Sequence, residues 1–139
     1  MRLELLQALQ ASYQRSKLAG VTSGMWLGMA PEGATEPYIT IGGIDGAKPE
    51  KRGIDGRILQ SVEIEFHIWS RSRSTEEVIG LFDTLCNLYD GIELEPRAGA
   101  VCAMTRGADY LEEVVEDDGR GWRIVVVYSA LHDNLSATE

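Results

Sequence analysis

The sequence predicts an α+β fold, a small, mostly antiparallel sheet with two helices packed on one face. Three observations carry it. Residues 3–17 and 74–89 place apolar side chains at helical spacing, residues 62–69 alternate in the manner of a strand, and the order is helix, strands, loop, strand, helix, strands rather than a regular strand–helix alternation. The 139 residues fit one domain, since domains most often hold about 100–150. With 44% apolar and 25% charged residues, the composition excludes a wholly disordered chain.

In the first helix Leu5, Leu6, Leu9 and Tyr13 recur at spacings of three and four, while Glu4, Gln7, Gln10, Gln14 and Lys17 fall largely elsewhere; Gly20 is the expected stop. A short apolar piece follows at 25–29, then turn chemistry in Ala30-Pro31-Glu32-Gly33. Residues 37–41 read as a strand, with Pro37 tolerable at its start or on an edge. The stretch 42–57, GGIDGAKPEKRGIDGR, holds five of the 15 glycines, repeats Gly-Ile-Asp-Gly, and carries Lys48, Lys51, Arg52 and Arg57 in an otherwise acidic chain. It predicts a long, mobile, exposed loop, a length that compact domains keep for functional or disordered segments.

In 62–69, apolar Val62, Ile64, Phe66 and Ile68 alternate with Glu63, Glu65, His67 and Trp69, so one face is buried and the other polar and then aromatic. Ser74 and Glu77 form a capping-box pattern that opens the second helix, with Val78, Leu81, Phe82, Leu85, Leu88 and Tyr89 as its apolar stripe and Gly91 as its stop. Strands are expected at 100–106, 109–116 and 122–128, the last two joined by a hairpin turn at 117–121, and the tail frays from about residue 132.

Thirteen basic residues against 22 acidic ones give a formal net charge of −9, which excludes a chain built mainly to grip nucleic-acid phosphates or an anionic membrane surface. No apolar run approaches the roughly 20 residues of a membrane helix, and Glu4, Gln7 and Gln10 break any signal-peptide region. The reading is a soluble intracellular protein whose Cys86 and Cys102 are small buried hydrophobes with no zinc-type spacing. Phosphate-loop, dinucleotide, HExxH and GxSxG motifs are missing, and neither a catalytic residue, a metal ligand nor a cofactor is expected. His67 reads as an exposed or interface histidine rather than a general base. The acidic run at 112–118 lacks calcium-loop spacing and reads as a solvated hairpin end. Strand residues with apolar side chains on both faces call for a partner on the face the helices leave bare.

The stretch 26–41, with its Ala-Pro-Glu-Gly turn and Pro37-Tyr38 leading into a strand, resembles the early signature of the tail-completion, or tail-terminator, proteins of long-tailed bacteriophages and prophages. The alternating strand ending at Trp69, the helix opening from Ser74 and the final strand 122–128 match that family in order, so the resemblance covers roughly residues 3–130. It implies a non-enzymatic hexameric ring that caps the tail tube and offers the head its joining surface. Its partners are then other copies of itself, the tail tube protein and the head–tail connector, in the host cytoplasm during assembly and then in the virion; a free protein that stays monomeric until a tail exists is compatible with this. A ring would bury Val62, Ile64, Trp69, Trp122, Val125, Val127 and Tyr128 against neighbours. The loop residues Asp45, Lys48, Lys51, Arg52, Asp55 and Arg57 would contact a protein partner. Glu63, Glu65, Glu112, Glu113 and Glu116 are the candidates to face a channel through which DNA passes without specific binding. The alternatives are a neighbouring connector of the same module, or a small-molecule-binding domain lined by His67, Trp69 and Tyr128.

Overall fold

Every second residue from Val62 to Ser70 is buried, and that alternation organises the whole molecule. The computed structural model describes residues 2–44, 48–52, 58–97, 100–116 and 119–133. Their order is α1 (Arg2–Gln14), α2 (Lys17–Val21), β1 (Met25–Leu27), β2 (Tyr38–Ile44), β3 (Lys48–Arg52), β4 (Ile58–Ser70), α3 (Glu76–Tyr89), β5 (Glu93–Arg97), β6 (Ala100–Glu116) and β7 (Gly119–Asp133). The seven strands form one sheet in the order β1-β2-β4-β7-β6-β5, with β3 also paired to β4. The class is α+β. The sheet is mixed, because β1 runs parallel to β2 while the other pairs are antiparallel, and it is larger than the sequence suggested.

The register aligns apolar rows across the strands. Ile68 stands between Ile39 of β2 and Ile124 of β7, and Phe66 between Ile41 and Val126. Leu5, Leu9 and Tyr13 of α1, Leu18 of α2, and Val78, Leu81, Leu85 and Tyr89 of α3 close over this face as one buried cluster. Phe66 stacks on Tyr89 at 5.2 Å between centroids and meets Tyr128 edge-on at 5.7 Å. The Tyr89 hydroxyl donates to the Leu9 carbonyl at 2.8 Å, pinning α3 to α1. A buried aromatic of this kind is worth about 3–5 kcal/mol against alanine.

Several expectations are corrected. Among the described residues there are three helices, not two. The segment 3–17 breaks at Arg15–Ser16, where Ser16 is extended (φ −100°, ψ 167°) and its hydroxyl donates to the Tyr13 carbonyl at 2.7 Å, competing with the helical ladder. Gly20 lies inside α2 and is not the stop. The capping box is not made: Ser74 Oγ accepts the Glu76 N–H at 3.1 Å, but Glu77 turns back to accept from the Ser70 hydroxyl at 2.6 Å. Gly91, at φ 67°, does terminate α3 in the left-handed region.

The glycine- and lysine-rich segment 42–57 is not one unstructured loop. Residues 42–44 continue β2, and Lys48–Arg52 pair antiparallel with residues 58–61 of β4, which begins earlier than the alternation at 62–69 revealed. Residues 100–116 are one strand rather than two, with a register shift between Arg106 and Asp109, and β5 was not foreseen. β7 runs through Asp133, past the expected start of the frayed tail; residues 134–139 and the turn residues 117–118 lie outside the described residues.

Candidate assembly surface

The face of the sheet turned away from the helices carries a row of aromatic and charged side chains. Trp26 pairs with Thr40, Thr40 with His67, Tyr38 with Trp69, and Trp69 with Arg123, so all six share that face. Trp26 meets Tyr38 edge-on at 6.0 Å, Tyr38 lies 6.2 Å from Trp69, and His67 is near-parallel to Trp69 at 6.2 Å. The Trp69 indole N–H donates to Thr40 Oγ1 at 3.0 Å, and the Arg123 guanidinium sits 4.9 Å over the Trp69 ring. Arg123 also pairs with Glu112 of β6. His67 Nε2 and Glu65 Oε1 are 2.6 Å apart. Burial, with Glu36 and Glu116 nearby, holds the Tyr38 phenol above its ordinary pKa.

The expected interface residues divide by strand parity. Val62, Ile64 and Tyr128 lie on the helix-covered face, 1%, 0% and 0% exposed, so they belong to the chain's own core and offer a neighbour nothing. Val125 is on the helix-free face yet only 3% exposed, flanked by its cross-strand partners His67 and Tyr110. Trp69 and Val127 remain half-buried on the helix-free face, and Trp122 is half-buried on the other. A site lined jointly by His67, Trp69 and Tyr128 is likewise excluded, since Tyr128 stands on the opposite face from the other two.

Glu63, Glu65, Glu112 and Glu116 share the helix-free face, whereas Glu113 points to the helix side and pairs with Arg120 at 3.5 Å. Lys48, Lys51 and Arg52 lie on β3; Asp45, Asp55 and Arg57 fall outside the described residues. Both cysteines are buried: burial pushes the Cys102 thiol up to about 11, and Cys86 accepts from the Arg106 guanidinium at 3.1 Å. Among the described residues no His, Cys, Asp and Glu group of three or more is placed to hold a metal ion, and no helix is long and apolar enough to cross a membrane.

Two features were missed in the sequence. The first is the aromatic row itself, in which Trp26, Tyr38, Thr40 and Arg123 become neighbours only once β1, β2, β4 and β7 are in register; the alternation of 38 and 40, and of 67 and 69, was its one visible trace. The second is an open cleft of about 630 Å³ at the end of the β6–β7 hairpin, lined by Arg71, Ser72, Arg73, Glu113, Arg120 and Trp122. There the Trp122 indole donates to the Arg73 carbonyl at 3.1 Å.

No family profile matches the chain, and no curated protein matches it. Among solved structures its fold is similar to that of a chain in the virion of a native gene transfer agent particle, with a TM-score of 0.67 and 16% identity over 92% of this chain and 96% of that one. At that identity the two chains share an architecture, and they share it over nearly their whole lengths.

Proposed function

We propose that this chain is a structural protein of a phage-like virion and, within it, the terminator that caps the tail tube as a ring and forms the surface to which the head joins. The observation that carries the reading is the end-to-end likeness of its fold to a virion chain. The resemblance of residues 26–41 to tail terminators supports it. That stretch forms a turn, with the Ala34 N–H on the Pro31 carbonyl at 3.0 Å and Gly33 at φ 87°, that delivers the chain into β2. In this role the protein performs no catalytic step and takes no cofactor. Its partners are further copies of itself, the tube protein and the connector, met in the host cytoplasm. The carboxylates Glu63, Glu65, Glu112 and Glu116, which share the helix-free face, line the passage and repel DNA phosphates, so that DNA slides instead of sticking.

The test is deletion of the gene in a phage or prophage that encodes it, followed by electron microscopy of the particles. Overlong or irregular tails without heads, restored to normal by supplying the protein, are the expected outcome. Tails of normal length that lack heads would move the chain to the connector, and normal particles would end the virion reading.

A further inference from the structure

The outer edge of β6 is open along most of its length. β5 pairs with β6 only at residues 100–103, so among the described residues no strand lies along 105–116 on the side away from β7. At about 3.3 Å per residue this is roughly 40 Å of backbone. The stretch contains neither proline nor lysine, the residues that commonly keep an edge solitary. Instead it exposes apolar side chains on both faces. Tyr110 is 53% exposed on the helix-free side, and Leu111 and Val115 are 43% and 66% exposed on the other. Its bulge sits near one end, leaving 109–116 in unbroken register with β7. Such an edge is a template for another strand.

The opposite rim of the sheet is open too. β2 and β3 follow one another along the same side of β4, and β1 covers only Ile39, Thr40 and Ile41 of β2. Residues 42–44 and 48–52 therefore have no outer strand among the described residues. Pro49 is compatible with this place, because proline within sheets is confined to rims and bulges. The two rims differ in charge: 48–52 contains Lys48, Lys51 and Arg52 against Glu50, and 105–116 contains Asp109, Glu112, Glu113 and Glu116 against Arg106. Glu112, Glu113 and Glu116 already meet Arg123, Arg120 and Arg71, so an incoming basic strand joins existing ion pairs, with Asp109 as a further carboxylate.

We propose that in the ring put forward above, on which this inference rests, the outer edge of β6 in one copy pairs with the β3 rim of the next, so that the sheet continues from subunit to subunit. Two unlike rims make a heterologous contact, which is what a closed ring requires. Pairing β6 with β6 would set one acidic stretch against its own copy, where like charges directly opposite are destabilising, and would stop at a dimer. The added strand also covers Tyr110, Leu111 and Val115 from both sides.

The experiment mixes isotope-labelled and unlabelled full-length protein from micromolar to millimolar concentration and joins carboxylates to amines with a zero-length carbodiimide. Mass spectrometry should find mixed-copy links between Lys48 or Lys51 and the carboxylates of 109–116. Asp109→Lys should weaken self-association about tenfold, and adding Lys51→Glu should restore it, with melting temperatures unchanged because the β6 position is exposed. Mixed-copy links within 105–116 alone, association with links elsewhere, or no association at any concentration would each overturn the pairing. The outcome is separable from the tail phenotype. Association without these links ends the edge pairing and leaves tail termination standing, whereas edge-paired rings beside normal tails in the deletion strain end tail termination alone.

Discussion

The guanidinium of Arg123 lies over the indole of Trp69, 4.9 Å from its centroid, and the two residues are also direct cross-strand partners. The same indole donates its N–H to Thr40 at 3.0 Å, so a single side chain on β4 couples β2 on one side to β7 on the other. The helix-free face is thereby held by specific contacts where no helix packs. Trp69→Phe keeps an aromatic surface for Arg123 and loses only the N–H, which should cost about 1 kcal/mol. Trp69→Ala loses both and should cost about 2–3 kcal/mol, between the worth of a cation–π contact and that of a fully buried aromatic. Urea denaturation of both variants measures the difference, and equal losses would mean that the ring face contributes nothing.

Two glycines should respond in opposite directions to alanine. A Cβ on Gly121, a buried position, would run into the Ser70 carbonyl oxygen where β4 and β7 lie side by side. Gly121→Ala should therefore destabilise by about 1–3 kcal/mol. Gly80 is exposed in the interior of α3, with nothing within 4 Å of its added Cβ. Gly80→Ala should stabilise by about 0.5–1 kcal/mol through helix propensity alone. Paired thermal melts check the signs.

Stability should fall on the alkaline side. Burial holds the Cys102 thiol at about 11, against an ordinary 9.0. The unfolded chain therefore releases this proton first, and the contribution, complete below pH 9.0, is lost as pH rises through about 11. The thiol of Cys86 and the phenols of Tyr89 and Tyr128, also raised chiefly by burial, act in the same direction. Chemical denaturation from pH 8 upward should show the decline, less steep in Cys102→Ala; an unchanged slope in that variant would remove Cys102 from the account.

Charge reversal on the helix-free face tests the passage. Glu63→Lys with Glu65→Lys should slow DNA exit from particles or raise the DNA affinity of the assembled ring. Asp83→Lys, at an exposed position of α3, should do neither. The comparison uses ejection kinetics, and equal behaviour of the two variants would place the helix-free face away from DNA.

What the sequence disclosed follows from how locally each feature is determined. The alternation at 62–69 was legible because the helices bury every second residue of β4 and leave its partners wet. The stripe from Val78 to Tyr89 was legible because one helix covers one face. β3 and β5 were not. Each is a short strand held by main-chain pairing to the strand that follows it, and in β5 only Leu94 is described as buried, too little for any pattern. The interface candidates mixed the two faces of the sheet because a strand read alone does not say which of its faces the helices take. Val62, Ile64 and Tyr128 proved to be core for that reason. Trp69 and Arg123 lie in separate segments that only the register makes neighbours, so their contact had no sequence signature.

The sheet order has a consequence for synthesis. β7 lies between β4 and β6, touching both along most of its length, yet among the described strands it leaves the ribosome last. Until then β4 is paired along one side only, and the β5–β6 hairpin has no strand joining it to the rest of the sheet. A nascent chain that stops short of residue 119 is thus left with two separated half-sheets and a bare apolar face, which is substrate for chaperones and proteases. Any assembly that uses the completed sheet consequently draws only on chains that have been translated through β7.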